Sequence, residues 1–180
     1  MGQQRPHPQD AVDEIIGQWA VQRPDLNVSA LEVFGHQERA YSRYRSSLNH
    51  FFDRYGISVA MFDILVTLRR SAPPHRLTAG ELATASLITS GGVTMRIDRA
   101  ERAGLVVRER DDVDRRIVYS RLTTKGKELI DRICDVHFAR LEKILEMFSA
   151  QEREQLASLL ARLEGAIIAT DTAEDEAGGP

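Results

Sequence analysis

The stretch that decides the fold runs from Leu77 to Leu129, LTAGELATASLITSGGVTMRIDRAERAGLVVRERDDVDRRIVYSRLTTKGKEL. Thr78 with Glu81 three residues later is a capping box, so a short helix starts there, with Leu82, Ala83 and Ala85 as its small apolar positions. A turn near Ser86–Ile88 leads to a second helix, about Thr89–Ala103, which Gly104 stops. Leu105–Arg110 and Ile117–Leu122 read as two strands joined by the charged tip Asp111–Arg116. Thr123 then caps a long helix to about Phe148. Two short helices across a tight turn, followed by a hairpin with a basic tip, form a winged helix-turn-helix.

That order of elements has a mechanical meaning on DNA. A helix fits the major groove, and a hairpin tip reaches the neighbouring minor groove. At 100° per residue Val93, Ile97 and Ala100 share one narrow apolar arc, and the opposite arc holds Gly91, Gly92, Met95, Arg99 and Arg102. Ser90 and Thr94 lie beside the helix start, where hydroxyls meet base edges or phosphates. Arg115 and Arg116 place mobile cations at the hairpin tip. A Ser/Thr-rich helix start can also be a plain cap, and a basic hairpin a solvated one. It is the ordered combination that points to DNA.

Outward from this core, Gln9–Gln22 reads as a short helix with Val12, Ile15, Ile16 and Trp19 at helical spacing, closed by Pro24. Asn27 or Ser29 caps a long helix to about Tyr55. In it Phe34, Tyr41, Leu48 and Tyr55 recur every seven residues beside Tyr44 and Phe51, a stripe suited to other helices or a second chain. Ser58 caps a helix Val59–Arg70 that Ala72-Pro73-Pro74 breaks. Ser149, with Glu152, opens a last helix carrying Leu156, Leu159, Leu160, Leu163 and Ile167, and the chain beyond Thr170 reads as a frayed tail. The expected organisation is an extension helix over 1–26, dimerisation helices over 27–56 and 123–172, a DNA-binding domain over 57–122 and a disordered tail over 173–180. The fold class is mainly α with a small β-wing.

The 180 residues carry 24 Lys+Arg and 27 Asp+Glu, a net charge of −3 that on its face argues against a nucleic-acid partner. The distribution reverses that reading. From Ser86 to Lys127 ten basic residues face six acids, a net of +4, whereas 128–180 hold twelve acids against five bases, a net of −7. A localised basic segment is the footprint of a phosphate-binding surface. No apolar run approaches the length of a membrane span and no leader-like segment follows Met1, so a cytoplasmic location is expected. Cys134, the single cysteine, excludes an intramolecular disulfide and a cysteine zinc cluster. The five histidines His7, His36, His50, His75 and His137 show no metal-ligand spacing and no phosphate-binding loop is present, so no enzyme, metal or cofactor is expected.

The stretch resembles the MarR family of bacterial transcription factors, through the two helices, "DRAERAGLV" (98–106), the "DVDRR" wing tip (112–116) and "LTTKGKEL" (122–129). The resemblance covers about residues 27–165. It implies an obligate homodimer through N- and C-terminal helices, with one winged domain on each half-site of a near-palindrome and Arg116 entering the minor groove. It also implies repression as the usual mode.

Two residues, Asp63 and Arg96, are unusual on physical grounds. Asp63 stands among Val59, Ala60, Val66 and Thr67, where a carboxylate needs a cation or hydrogen bonds. Arg96 lies about 60° from the centre of its helix's apolar arc. Arg108 lies nearer the body of the wing than its tip. A structural ion pair would account for Asp63, and a hydrophobic anchor for Trp19. A urate-responsive subgroup of MarR proteins has a tryptophan on an extra N-terminal helix, an aspartate before the DNA-binding motif, and arginines on the recognition helix and first wing strand. Trp19, Asp63, Arg96 and Arg108 match those four roles, as does the "W…RPDL" stretch from Trp19 to Leu26. The resemblance implies a small anionic ligand, urate or a related purine, or a tricarboxylate such as citrate or aconitate, that breaks an Asp63–Arg96 linkage and releases DNA. A ligand-independent repressor and an oxidant sensor using Cys134 stay open, although Ile133 and Val136 beside Cys134 favour packing.

Overall fold

Side-chain caps set the helix starts. In the computed structural model, which describes residues 8–86 and 92–176, the Ser58 hydroxyl accepts from the Met61 backbone N–H at 3.1 Å and opens the helix Val59–Arg70. Ser58→Ala should cost about 1 kcal/mol of stability, read as a lower denaturation midpoint at unchanged slope. Thr78 and Glu81 form the full capping box at the head of Ala79–Ala85, and its backbone and side-chain hydrogen bonds hold the Glu81 carboxyl below its ordinary range. Thr123 accepts from Gly126 N–H at 3.0 Å and opens Thr124–Leu145, and Ser149 and Glu152 cap each other at the head of Ala150–Glu176.

The elements in chain order are α1 (Pro8–Gln22), α2 (Leu31–Asp53), α3 (Val59–Arg70), β1 (Arg76–Thr78), α4 (Ala79–Ala85), α5 (Val93–Arg102), β2 (Val106–Arg110), β3 (Val118–Leu122), α6 (Thr124–Leu145) and α7 (Ala150–Glu176). The chain divides into two units, 1–130 and 131–180.

In the first unit α1 packs on α2, with Val12 only 2% exposed where Gly35 leaves room for it. Phe52, fully buried, stacks on Phe62 of α3 with ring centroids 4.3 Å apart. Ile64, Leu65 and Leu68 of α3, Leu82 of α4, and Ile97 and Ala100 of α5 close the core beneath the sheet. Arg70 reaches across from the end of α3 to the Ala85 carbonyl at the end of α4. The sheet is antiparallel in the order β1-β3-β2. In the second unit no residue of α7 is buried, and Arg153 joins Glu142 at 2.8 Å across the α6–α7 turn.

Several expectations need correction. Neither Asn27 nor Ser29 caps α2. Ala30 holds that position with no side-chain hydrogen bond, and Asn27 instead accepts from Ser29 N–H in a local turn. The described part of the second helix begins at Val93, with Gly92 at φ 84°, a left-handed conformation, as its N-cap, and the expected start at Thr89 lies outside the described residues. Ser90, Gly91 and the expected turn at Leu87 and Ile88 lie outside the described residues. The two-stranded wing gains a third strand, β1. The last helix runs past Thr170 to Glu176, so the expected disordered tail from 173 begins inside it.

Candidate nucleic-acid interface

Helix α5 is strongly two-faced. Val93, Ile97 and Ala100 are 5%, 1% and 0% exposed, which seats the helix on α3 and α4 and turns the opposite arc to solvent. On that arc Met95, Arg99 and Arg102 are exposed, with Thr94 exposed on its flank, and Arg99 lies back along the helix toward the Met95 sulfur at 3.7 Å. A hydroxyl, a thioether and two guanidiniums, all able to meet bases or phosphates, are thus accessible together.

The wing tip between β2 and β3 is built from aspartates rather than glycines. Asp111 Oδ1 accepts from the Val113 and Asp114 backbone N–H groups at 2.9 and 3.0 Å, and those bonds hold its carboxyl below the usual range. Asp114 accepts from the Arg116 backbone N–H at 3.0 Å and pairs with the Arg116 guanidinium at 3.1 Å, which lowers its carboxyl as well. The Asp111 N–H to Ile117 carbonyl bond at 3.0 Å closes the hairpin. The turn fixes the backbone while Arg115 is exposed and the Arg116 side chain is 91% exposed. At the base of the wing Arg76 lies over the Tyr119 ring at 4.1 Å and pairs with Asp111 at 3.4 Å.

The four residues of the expected ligand site fall in different surroundings. Asp63 is 5% exposed on α3, and its Oδ2 has no hydrogen-bond partner. Arg96, half-buried on α5, has a buried Nη1 that is also unpartnered. Helices α3 and α5 pack together, but among the ion pairs of the described residues none joins Asp63 to Arg96, so the direct linkage expected between them is not found. Arg108 is already committed: its guanidinium meets Asp98 and Glu101 of α5 at 2.5 Å each, and its pKa is raised chiefly by the Asp98 hydrogen bond. Trp19, 43% exposed, lines a separate apolar cleft of about 340 Å³ with Leu26, Val28, Leu31 and Phe34; Asp63, Arg96 and Arg108 do not line it. Sequence reasoning missed Asp98 and Glu101. Their i,i+3 spacing was the available signal, because it puts both carboxylates on one helix face beside the strand that carries Arg108.

Among the described residues no cluster of His, Cys, Asp or Glu could hold a metal ion, and no helix is long and apolar enough to cross a membrane. Cys134 is half-buried in α6.

The arrangement has close counterparts. A sequence profile of the MarR family matches residues 55–117. The chain is 36% identical over 157 residues to the HTH-type transcriptional regulator PecS of Dickeya dadantii (strain 3937), covering 87% of this chain and 95% of PecS. It is 29% identical over 139 residues to the HTH-type transcriptional repressor YetL of Bacillus subtilis (strain 168), covering 77% and 83%. Among solved structures, AbsC, a MarR family transcriptional regulator from Streptomyces coelicolor, matches with a TM-score of 0.71 at 22% identity over 80% of this chain and 97% of that one. Sco3205, a MarR family regulator of the same organism in complex with DNA, also gives 0.71, at 23% identity over 79% and 93%. With a winged helix whose reading helix and wing tip both face solvent, and with this extent of identity to PecS, the chain belongs to the MarR family of DNA-binding transcriptional regulators.

Proposed function

We propose that the chain is a ligand-responsive repressor that binds a near-palindromic operator as a homodimer and leaves it when a small anion binds. The observation that carries the DNA part is the shared exposure of the α5 arc and the wing arginines. Thr94, Met95 and Arg99, with Ser90 at the helix approach, would meet the major groove, and Arg115 and Arg116 the backbone and minor groove of each half-site. Residues 57–122 form the DNA-binding domain in this reading, 27–56 and 123–172 the dimerisation helices, and 1–26 an extension. Leu156, Leu159, Leu160 and Ile167 on α7, which share one helical face and are 41%, 58%, 49% and 40% exposed, would supply an apolar face for a second copy.

The ligand part rests on the unpartnered buried atoms of α3 and α5. A buried guanidinium N–H without an acceptor is costly, and an anion that supplies the acceptor favours whichever state admits it. The same anion is repelled by the Asp63 carboxylate, so the packing of α3 on α5 must shift as it enters. Arg108 would hold the anion only by giving up Asp98 and Glu101, and Trp19, which lines a separate cleft, would offer a stacking surface only after a rearrangement that brings that cleft to the ligand. Urate or a related purine, or a tricarboxylate such as citrate or aconitate, has the compact negative charge required.

A gel shift on the DNA upstream of the chain's own gene, titrated with urate, xanthine, citrate and aconitate, tests this directly. One of the four should dissolve the shifted band, Asp63→Ala should alter the response, and Cys134→Ser should retain it in full. A band indifferent to all four anions, with Asp63→Ala behaving as wild type, would leave a constitutive repressor as the answer.

A further inference from the structure

The ladder register decides which way Arg108 points. Arg108 of β2 pairs opposite Ser120 of β3, which is 2% exposed, and Ser120 pairs opposite Leu77 of β1. Successive side chains on a strand alternate faces, so Arg108 lies on the Ser120 side of the sheet, and Val107 and Glu109 lie on the other. On that side its guanidinium meets Asp98 and Glu101. Those two acids stand three residues apart on one face of α5, and a planar fork of donors suits two carboxylates at that separation. They also alternate with Arg99 and Arg102, the cations of the exposed arc. One wing residue therefore grips the recognition helix immediately behind its DNA-facing side chains.

We propose that Arg108 is a positioning residue for DNA recognition. By clamping β2 to α5 through Asp98 and Glu101, it fixes the separation between the α5 reading face and Arg116 at the wing tip. The clamp is half in solvent, with side chains 30%, 46% and 39% exposed for Arg108, Asp98 and Glu101, so it adds little to global stability. Its contribution is register. Helix and wing must fit two grooves of one duplex together, and freedom between them is lost again on binding. The proposal rests on α5 and the wing being the DNA-contacting elements.

The sign of a charge change tests it. Asp98→Asn with Glu101→Gln removes two negative charges beside the DNA-facing arc, and electrostatics by itself would tighten binding to any duplex. The clamp requires the opposite for the preferred site. Full-length protein would be assayed by fluorescence anisotropy on the duplex that the wild type enriches from a randomised pool, and on a scrambled duplex of equal length. The double variant should lose about tenfold or more on the enriched duplex and hold or gain on the scrambled one, with its melting temperature close to wild type. Arg108→Gln should lower the ratio of specific to non-specific affinity likewise. The charge swap Arg108→Glu with Glu101→Arg should recover part of that ratio. Enriched-duplex binding by the double variant as tight as or tighter than wild type would overturn the proposal, as would equal losses on both duplexes for Arg108→Gln. Arg99→Ala and Arg116→Ala separate the two readings: if neither weakens binding, the assignment of the interface fails, and if both do while the clamp variants do not, only the clamp fails.

Discussion

Gly126→Ala is expected to destabilise the fold by about 2–3 kcal/mol, the upper part of the range for forcing extra volume into a packed site. Gly126 lies in the first turn of α6, and a Cβ built there overlaps the carbonyl of Leu105. That obstacle is backbone and it is pinned. The Leu105 carbonyl accepts from Thr123 N–H at 3.0 Å, the Thr123 hydroxyl donates to the Gly104 carbonyl at 2.8 Å, and Lys125 Nζ donates to the Ala103 carbonyl at 3.0 Å. A methyl group can enter only if α6 withdraws from the end of α5, which breaks this set together. Helix propensity by itself favours alanine over glycine by roughly 1 kcal/mol, so the substitution also separates intrinsic preference from close approach. Urea denaturation is the measurement, and a midpoint equal to or above wild type would show that the junction gives way without cost.

The second large effect is on binding. Arg116→Ala should weaken operator affinity by about ten- to a hundredfold and flatten the salt dependence of log K by roughly two for a dimer that loses two phosphate contacts. The Arg116 side chain is 91% exposed and, among the described residues, paired only with Asp114 of the same turn, so its removal leaves no buried group unsatisfied and the melting temperature should hold. The wing backbone should keep its shape, because the Asp111 bonds to Val113 and Asp114 do not involve the lost guanidinium. Affinity measured across a salt series distinguishes a lost phosphate contact from misfolding. Arg116→Ala binding with the wild-type slope would mean that the wing tip stays clear of the DNA.

What could be read from the chain followed the range of the interaction. Ser58, Thr78, Thr123 and Ser149 declare helix starts because a cap is chemistry among four consecutive residues. The α5 core arc was legible for the same reason, since Val93, Ile97 and Ala100 obey a local period. β1 was not. Arg76-Leu77-Thr78 is too short for a pattern, and it becomes a strand through partners at Tyr119, Ser120 and Arg121, far along the chain. The burial of Asp63 could be inferred from its apolar neighbours, yet its lack of an arginine partner could not, because helix packing decides which side chains meet. Arg108 could be placed on the wing, but the two acids it grips depend on the sheet's register against α5.

The pairing of β1 with β3 has an evolutionary consequence. Everything from α4 through the wing tip, residues 79–117, lies between two strands hydrogen-bonded to each other, so the DNA-reading segment leaves and rejoins the rest of the chain at one clasp. Substitutions inside that bracket can retarget the preferred sequence while the geometry at its ends stays constant. In the proposed reading the segment is a cassette that can diverge in what it reads, and because Arg96 and Arg108 lie inside it, such divergence would carry part of the ligand site with it.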